Sequence, residues 1–229
     1  MELKIDGAEL DLGKATSDRE VQALARLARA ASQGDIVEIG SWKGRSTAYL
    51  AKGAQYCGKE VKIYAIDPHT KGTEQIFKDN IKKLGFDDVV IPLVMRSEEA
   101  IKQWNRPISL LFIDGDHGYE NVRKDFLLWE PYIVTGGVIV FHDRFAEGPC
   151  RVITRYVLKS SSFSEVGVVQ GLLFATKGGE LSLSDKWTKL KLLLLSYIAM
   201  SSAFLTRPKR LRKVQKILGK VGMWLSEKV

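Results

Sequence analysis

Apolar positions along this chain fall into two alternating rhythms. Short continuous runs at Ile36–Ile39, Val61–Ile66, Val89–Val94, Ile108–Ile113 and Val138–Phe141 have the length and β-branched content of strands covered on both faces. Between them the spacing becomes helical. Ser17-Asp18-Arg19-Glu20 is a capping box, with Ser and Glu at the separation that satisfies helix-start donors. Val21, Leu24, Leu27 and Ala31 then share one face, which predicts a helix to about Ser32. Further helices are expected over Arg45–Lys52, Glu74–Leu84 (closed by Gly85), Glu120–Tyr132 and residues 151–159. Val166–Gln170 and Leu172–Thr176, on either side of Gly171, read as a closing hairpin. Strand–helix alternation ending in two close strands predicts an α/β, doubly wound, seven-stranded sheet whose hairpin supplies an antiparallel strand.

The pattern changes near residue 186. Leu190–Leu205 is apolar but broken by Lys191, and its uncharged part, Leu192–Leu205, is shorter than the ~20 residues that span a bilayer. After Pro208, residues Leu211, Val214, Ile217, Leu218, Val221 and Leu225 recur at helical spacing, with Lys and Arg on the other faces and Trp224 near the end. The expected division is a domain over 1–185 and a basic helical C-terminal appendage over 186–229.

Charge follows that division. The net charge is +8, yet residues 207–229 hold eight Lys/Arg against one Glu, so the rest of the 229-residue chain is nearly neutral. A basic pI is therefore no nucleic-acid footprint over the body. A basic amphipathic segment suits an anionic membrane surface reached through 207–229; a homodimer contact or a lid over the site suits it equally. The two cysteines, Cys57 and Cys150, form no metal-ligand pattern. The opening residues lack a basic-then-apolar signal region. A cytoplasmic location is expected, with peripheral membrane attachment open.

The chemistry gathers at the strand ends. Ile36–Ile39 runs into Gly40-Ser41-Trp42-Lys43-Gly44 and then a helix, a turn that brings free backbone N–H groups to a ligand. Glu38 is a carboxylate inside an apolar strand and needs a hydrogen-bond partner. A dinucleotide fingerprint would place glycines where Trp42 and Arg45 stand, which disfavours an NAD dehydrogenase. Asp67 follows the second strand, where an acid commonly accepts from ribose hydroxyls. Ser97 follows the third, as an expected N-cap within reach of an adenine edge. Asp114-Gly-Asp-His117 follows the fourth and His142-Asp143 the fifth. Five strand ends thus converge with polar and ionisable groups.

Three segments, Val37-Glu-Ile-Gly-Ser-Trp-Lys-Gly-Arg-Ser-Thr47, Ile113-Asp-Gly-Asp-His-Gly-Tyr119 and Gly136-Gly-Val-Ile-Val-Phe-His-Asp143, together resemble the small class I methyltransferases that include cephalosporin-hydroxylase-like and macrolide-sugar O-methyltransferase-like proteins. The resemblance covers roughly residues 35–177. It implies a Rossmann-like sheet with a reversed last strand and S-adenosylmethionine as methyl donor. It further implies that Glu38, Gly40, Ser41, Gly44 and Ser46 hold the methionine part, Asp67 the ribose, and that Ser97 and Asp114 complete the cofactor site. Metal-dependent relatives of the catechol O-methyltransferase type carry acids matching Asp114 and Asp143, with His142 at a position usually held by a carboxylate. Asp114, His142 and Asp143 are accordingly the expected ligands of a divalent cation. The histidine makes magnesium the less favoured ion, since hard cations prefer oxygen. The basic residue three positions after the first acid acts as general base in those relatives, and His117 matches it.

An imidazole, with a pKa of about 6.5, can take a hydroxyl proton near neutrality. The expected reaction is O-methylation of a small-molecule, sugar or lipid-linked hydroxyl, with His117, Asp114 and His142 as the catalytic group. Asp114-Gly-Asp-His also differs from the Asn/Asp-Pro-Pro-aromatic run usual in enzymes that methylate exocyclic amines of nucleic-acid bases. A non-catalytic binding or membrane-associated module with the same fold is the alternative.

Overall fold

A computed structural model describes residues 5, 10–31, 33–58 and 60–205, with side chains as far as residue 200. The elements, in order, are α1 (Asp18–Ala30), β1 (Asp35–Ile39), α2 (Arg45–Ala54), β2 (Ile63–Ile66), α3 (Glu74–Lys83), β3 (Val90–Leu93), α4 (Ser97–Ala100), β4 (Ile108–Ile113), α5 (Tyr119–Trp129), β5 (Ile133–Phe141), α6 (Glu147–Val152), β6 (Phe163–Val169), β7 (Leu172–Lys177) and α7 (Leu183–Leu205). The capping box at Ser17 forms as expected, with both reciprocal bonds present.

The seven strands make one sheet in the order β3-β2-β1-β4-β5-β7-β6. β1 to β5 are parallel, and β7 runs antiparallel to both β5 and β6. Alternation along each strand separates two cores. Ile36, Leu110 and Phe112 face α1, α2 and α3, meeting Leu24, Leu50 and Phe77. Val37, Ile39, Leu111 and Ile113 face the other layer, meeting Phe126, Trp129 and Val157.

Register then sets the site. Ile39 lies opposite Ile66 and Ile113, and Ile113 lies opposite Phe141. The parallel strands therefore end level, so that Gly40, Asp67, Asp114 and His142 emerge along one edge. The chain departs from β1 in both directions, to β2 and to β4, and ligands in open α/β sheets bind at such a reversal.

Several boundaries differ from expectation. β5 begins at Ile133 rather than Val138, because Gly136-Gly137 is absorbed as a bulge where the pairing shifts between Ile108 and Leu110. Gly136 has φ +83°, which a side chain would resist. The helix expected over 151–159 starts earlier, at Glu147, with Pro149 tolerated in its first turn, and continues as a π-helical stretch over Ile153–Leu158. Ser97 is the first residue of α4 rather than its N-cap, which is Arg96. The basic segment from Pro208 onward lies outside the described residues.

Candidate active site

A cavity of about 610 Å³ opens at the C-terminal ends of β1, β2, β4 and β5. Four of the residues expected to hold cofactor line it: Gly40, Asp67, Ser97 and Asp114. Glu38, Ser41, Gly44 and Ser46 are not part of that lining. They build the turn behind it.

Gly40 has φ +94°, and a Cβ there would meet the Asp114 carbonyl at 2.3 Å. This position brings β1 and β4 into backbone contact and excludes any side chain. Gly44, at φ +87°, is the N-cap of α2. Glu38 is fully buried beneath the turn, and its Oε2 accepts a hydrogen bond from the Thr47 hydroxyl. Burial pushes its pKa up to about 8, against the opposing hydrogen bonds of Ser46 and Thr47. At neutral pH its proton is therefore mostly retained. Glu38 Oε1 and Ser41 Oγ find no hydrogen-bond partner among the described residues.

Trp42 adopts φ +42°, an outlier for a bulky side chain. The conformation turns its N–H onto Asp67, whose Oδ2 accepts it at 2.9 Å. The other oxygen, Oδ1, accepts the N–H of His69 at 2.7 Å. Each oxygen keeps further acceptor capacity. Asp67 is thus fixed by β1 and by its own loop while facing the cavity.

Ser97 donates its hydroxyl proton to Asp125 Oδ1. Asp125, on α5, also lines the cavity and is 6% exposed. Burial pushes its carboxyl up to about 6, against the Ser97 hydrogen bond. Sequence reasoning missed this residue. Its signal was an acid within the apolar stripe Val122, Phe126 and Trp129, where a solvated side chain is not expected.

The fourth and fifth strand ends form a charged cluster. His117 Nε2 lies 3.4 Å from Asp143 Oδ2 and 4.0 Å from Asp114 Oδ1. The Asp114 carboxylate pushes the imidazole pKa above its ordinary value, opposed by burial and helped by Asp143. His142 is 6% exposed, with Nδ1 3.0 Å from Asp114 Oδ1 and 3.5 Å from Asp143 Oδ2. Its Nε2 lies 3.7 Å from Glu20 Oε2, on α1. Burial opposes charging, but hydrogen bonds with Asp114, Asp143 and Glu20 outweigh it and lift the pKa to about 12. With no cation between these groups, the carboxylates favour the imidazolium form of His142.

His142 Nδ1 thus faces Asp114 and Asp143, the two carboxylates expected beside it around a cation. Among the described residues, Asp114, His117 and Asp143 also bring their ligand atoms within 4.8 Å of one another. Glu20 entered the sequence reading only as a helix cap. It does cap, accepting from Ser17 N–H at 2.8 Å, but its Oε1 also accepts the Gly171 N–H at 2.8 Å. No local pattern reveals that α1 delivers an acid to the end of β5.

Residues 37–144 match a family model described as a methyltransferase domain. The chain is 31% identical over 137 residues to the uncharacterized protein R132 of Acanthamoeba polyphaga mimivirus, a match covering 52% of this chain and 57% of that relative. It thus spans little more than half the length of that relative. Among solved structures, an O-methyltransferase from Bacillus cereus in complex with SAH superposes with a TM-score of 0.60 at 20% identity, over 73% of this chain and 85% of that one. The O-methyltransferase TomG from Streptomyces achromogenes, involved in tomaymycin synthesis and solved with SAM, gives 0.59 at 20% identity, over 74% and 83%. The fold is the Rossmann-like one of these solved methyltransferases, its reversed strand being β7.

Proposed function

We propose that this chain transfers a methyl group from S-adenosylmethionine to a hydroxyl of a small molecule, a sugar or a lipid-linked acceptor. The observation that carries the reading is the meeting, in one cavity, of a ribose-type acceptor, Asp67, with an imidazole, His117, held near two carboxylates.

The residues fit the donor. Gly40 lines the cavity and lets the turn close directly on the Asp114 backbone, while the buried Glu38 and Ser41 shape that turn from behind. Asp67 retains lone pairs for two ribose hydroxyls, and the Ser97–Asp125 pair offers an acceptor to an exocyclic amine. The donor, when bound, supplies an electrophilic methyl on a sulfonium. The chain must orient an acceptor oxygen toward it and remove the hydroxyl proton, and positioning supplies much of the rate. His117 is the proposed base, taking that proton on its imidazole. His142, as a fixed cation, holds Asp114 and Asp143 in place and offsets their charge.

A second reading rests on the ligand group itself. Asp114, His117 and Asp143 offer two oxygens and one nitrogen, a set better suited to manganese, iron or zinc than to magnesium. A cation there would acidify the acceptor hydroxyl, with His117 as ligand rather than base. Release of S-adenosylhomocysteine across a panel of hydroxylated acceptors, with and without chelator, separates the two. Full turnover in chelator removes the metal reading, and recovery by manganese but not magnesium favours it. No turnover with any acceptor, despite donor binding, would favour a non-catalytic binding module.

A further inference from the structure

Helix α7 has two unlike faces. One is docked on the domain: Leu192 is buried in the core, and buried Lys189 donates to the carbonyls of Ser160 and Phe163. The other bears Leu183, Trp187, Leu190, Leu194 and Tyr197, between 46% and 76% exposed. Their spacing, alternately four and three residues, puts all five on one stripe of the helix. Single exposed apolar residues need no explanation, but a continuous strip of this kind marks an interaction surface.

Along the helix itself the exposed charges beside the strip are lysines, with Glu180 and Glu165 near its start. Lys186 and Lys191 are exposed on α7, and Lys159 Nζ stands 5.5 Å from the Tyr197 ring centroid. Asp185 is turned away, accepting from Ser182 and from the Glu165 N–H. The sequence after the helix adds eight Lys/Arg against one Glu over residues 207–229.

We infer that this outer face of α7 lies on an anionic lipid surface. The strip enters the boundary between headgroups and acyl chains, while the lysines stay with the phosphates. Trp187 and Tyr197 carry the amphipathic rings favoured at that depth. A second copy is the poorer occupant. Two strips meeting face to face would bring Lys186 and Lys191 of both copies together against few acids, whereas an anionic membrane supplies the opposite charge throughout. The attachment is interfacial, because no described helix is long and apolar enough to cross a membrane. The inference does not depend on the proposed methyl transfer.

Co-sedimentation of the full chain with phosphatidylcholine vesicles, with and without about 30% phosphatidylserine, tests it. Binding is expected only with phosphatidylserine. The double variant Leu190→Glu/Leu194→Glu should lose roughly tenfold or more in partitioning while keeping its thermal melt, since both side chains point away from the domain. Binding that persists in this variant and disappears only in high salt would assign attachment to residues 207–229 alone and overturn the role of α7. Absence of binding to either vesicle also overturns it. Sedimentation equilibrium then tells a dimer broken by the same variant from a monomer whose own terminal segment covers the strip.

Discussion

Glu20 of the first helix places its Oε2 3.7 Å from Nε2 of His142, at the end of the fifth strand. The contact ties the N-terminal helix to the charged cluster, and both side chains are almost wholly buried. Because the pKa of His142 is raised to about 12, its stabilising contribution is complete below the unfolded value near 6.5. That contribution is lost as pH rises toward 12. His142→Gln should therefore melt lower than the wild type at pH 6, with the gap narrowing steadily up to pH 10. Glu20→Ala should cost on the order of 1–3 kcal/mol, because it leaves the Gly171 N–H unsatisfied and removes the carboxylate facing His142 Nε2. Chemical denaturation of both variants across this pH range checks the pair; a gap that widens with pH would contradict a charged His142.

Proton removal by His117 predicts a particular pH profile. The base must be neutral, and Asp114 first, then Asp143, holds its pKa above the ordinary value. Turnover should rise with pH through that raised pKa. Asp143→Asn should move the rising limb to lower pH, and His117→Ala should abolish the limb and lower turnover by roughly 10²–10⁴-fold with donor affinity little changed. A limb that stays fixed in Asp143→Asn, or survives in His117→Ala, would assign it to another group.

Asp125 predicts selectivity for the nucleobase amine. Its buried carboxylate accepts from Ser97 and faces the cavity. S-adenosylhomocysteine should bind the wild type about tenfold more tightly than its deaminated, inosine-type analogue, a difference near 1.4 kcal/mol. In Asp125→Ala that preference should vanish. Since the carboxyl is lifted to about 6, the preference should also fade as pH drops below 6. Equal binding of both ligands by the wild type would remove Asp125 from recognition.

Much of this was legible in the sequence because it depends on local patterns. The apolar runs of β1 and β4 identified buried strands, and Ser17 to Glu20 identified a helix start. The residue after each parallel strand could be named, and register brought those residues to one edge. What was not legible depends on distant contacts. Which ring nitrogen of His142 faces which carboxylate follows from where α1 packs, and no spacing within residues 136–143 contains that. The approach of His117 to Asp143 depends on such distant packing too. Asp125 was hidden because its partner, Ser97, comes from the start of α4, far off in sequence. The true start of β5, five residues before Val138, was hidden because a glycine pair marks a bulge only when the opposite strand is known.

The central claim is that the turn after β1, together with Asp67, holds an adenosyl cofactor. Calorimetric titration of the full chain with S-adenosylhomocysteine, and separately with NAD, tests it most directly. The account predicts one site for S-adenosylhomocysteine, no heat from NAD, and a loss of about 1.5–3 kcal/mol in Asp67→Ala, where ribose hydrogen bonds to a charged acceptor are removed. Binding of NAD in place of S-adenosylhomocysteine, or unchanged affinity in Asp67→Ala, would contradict it.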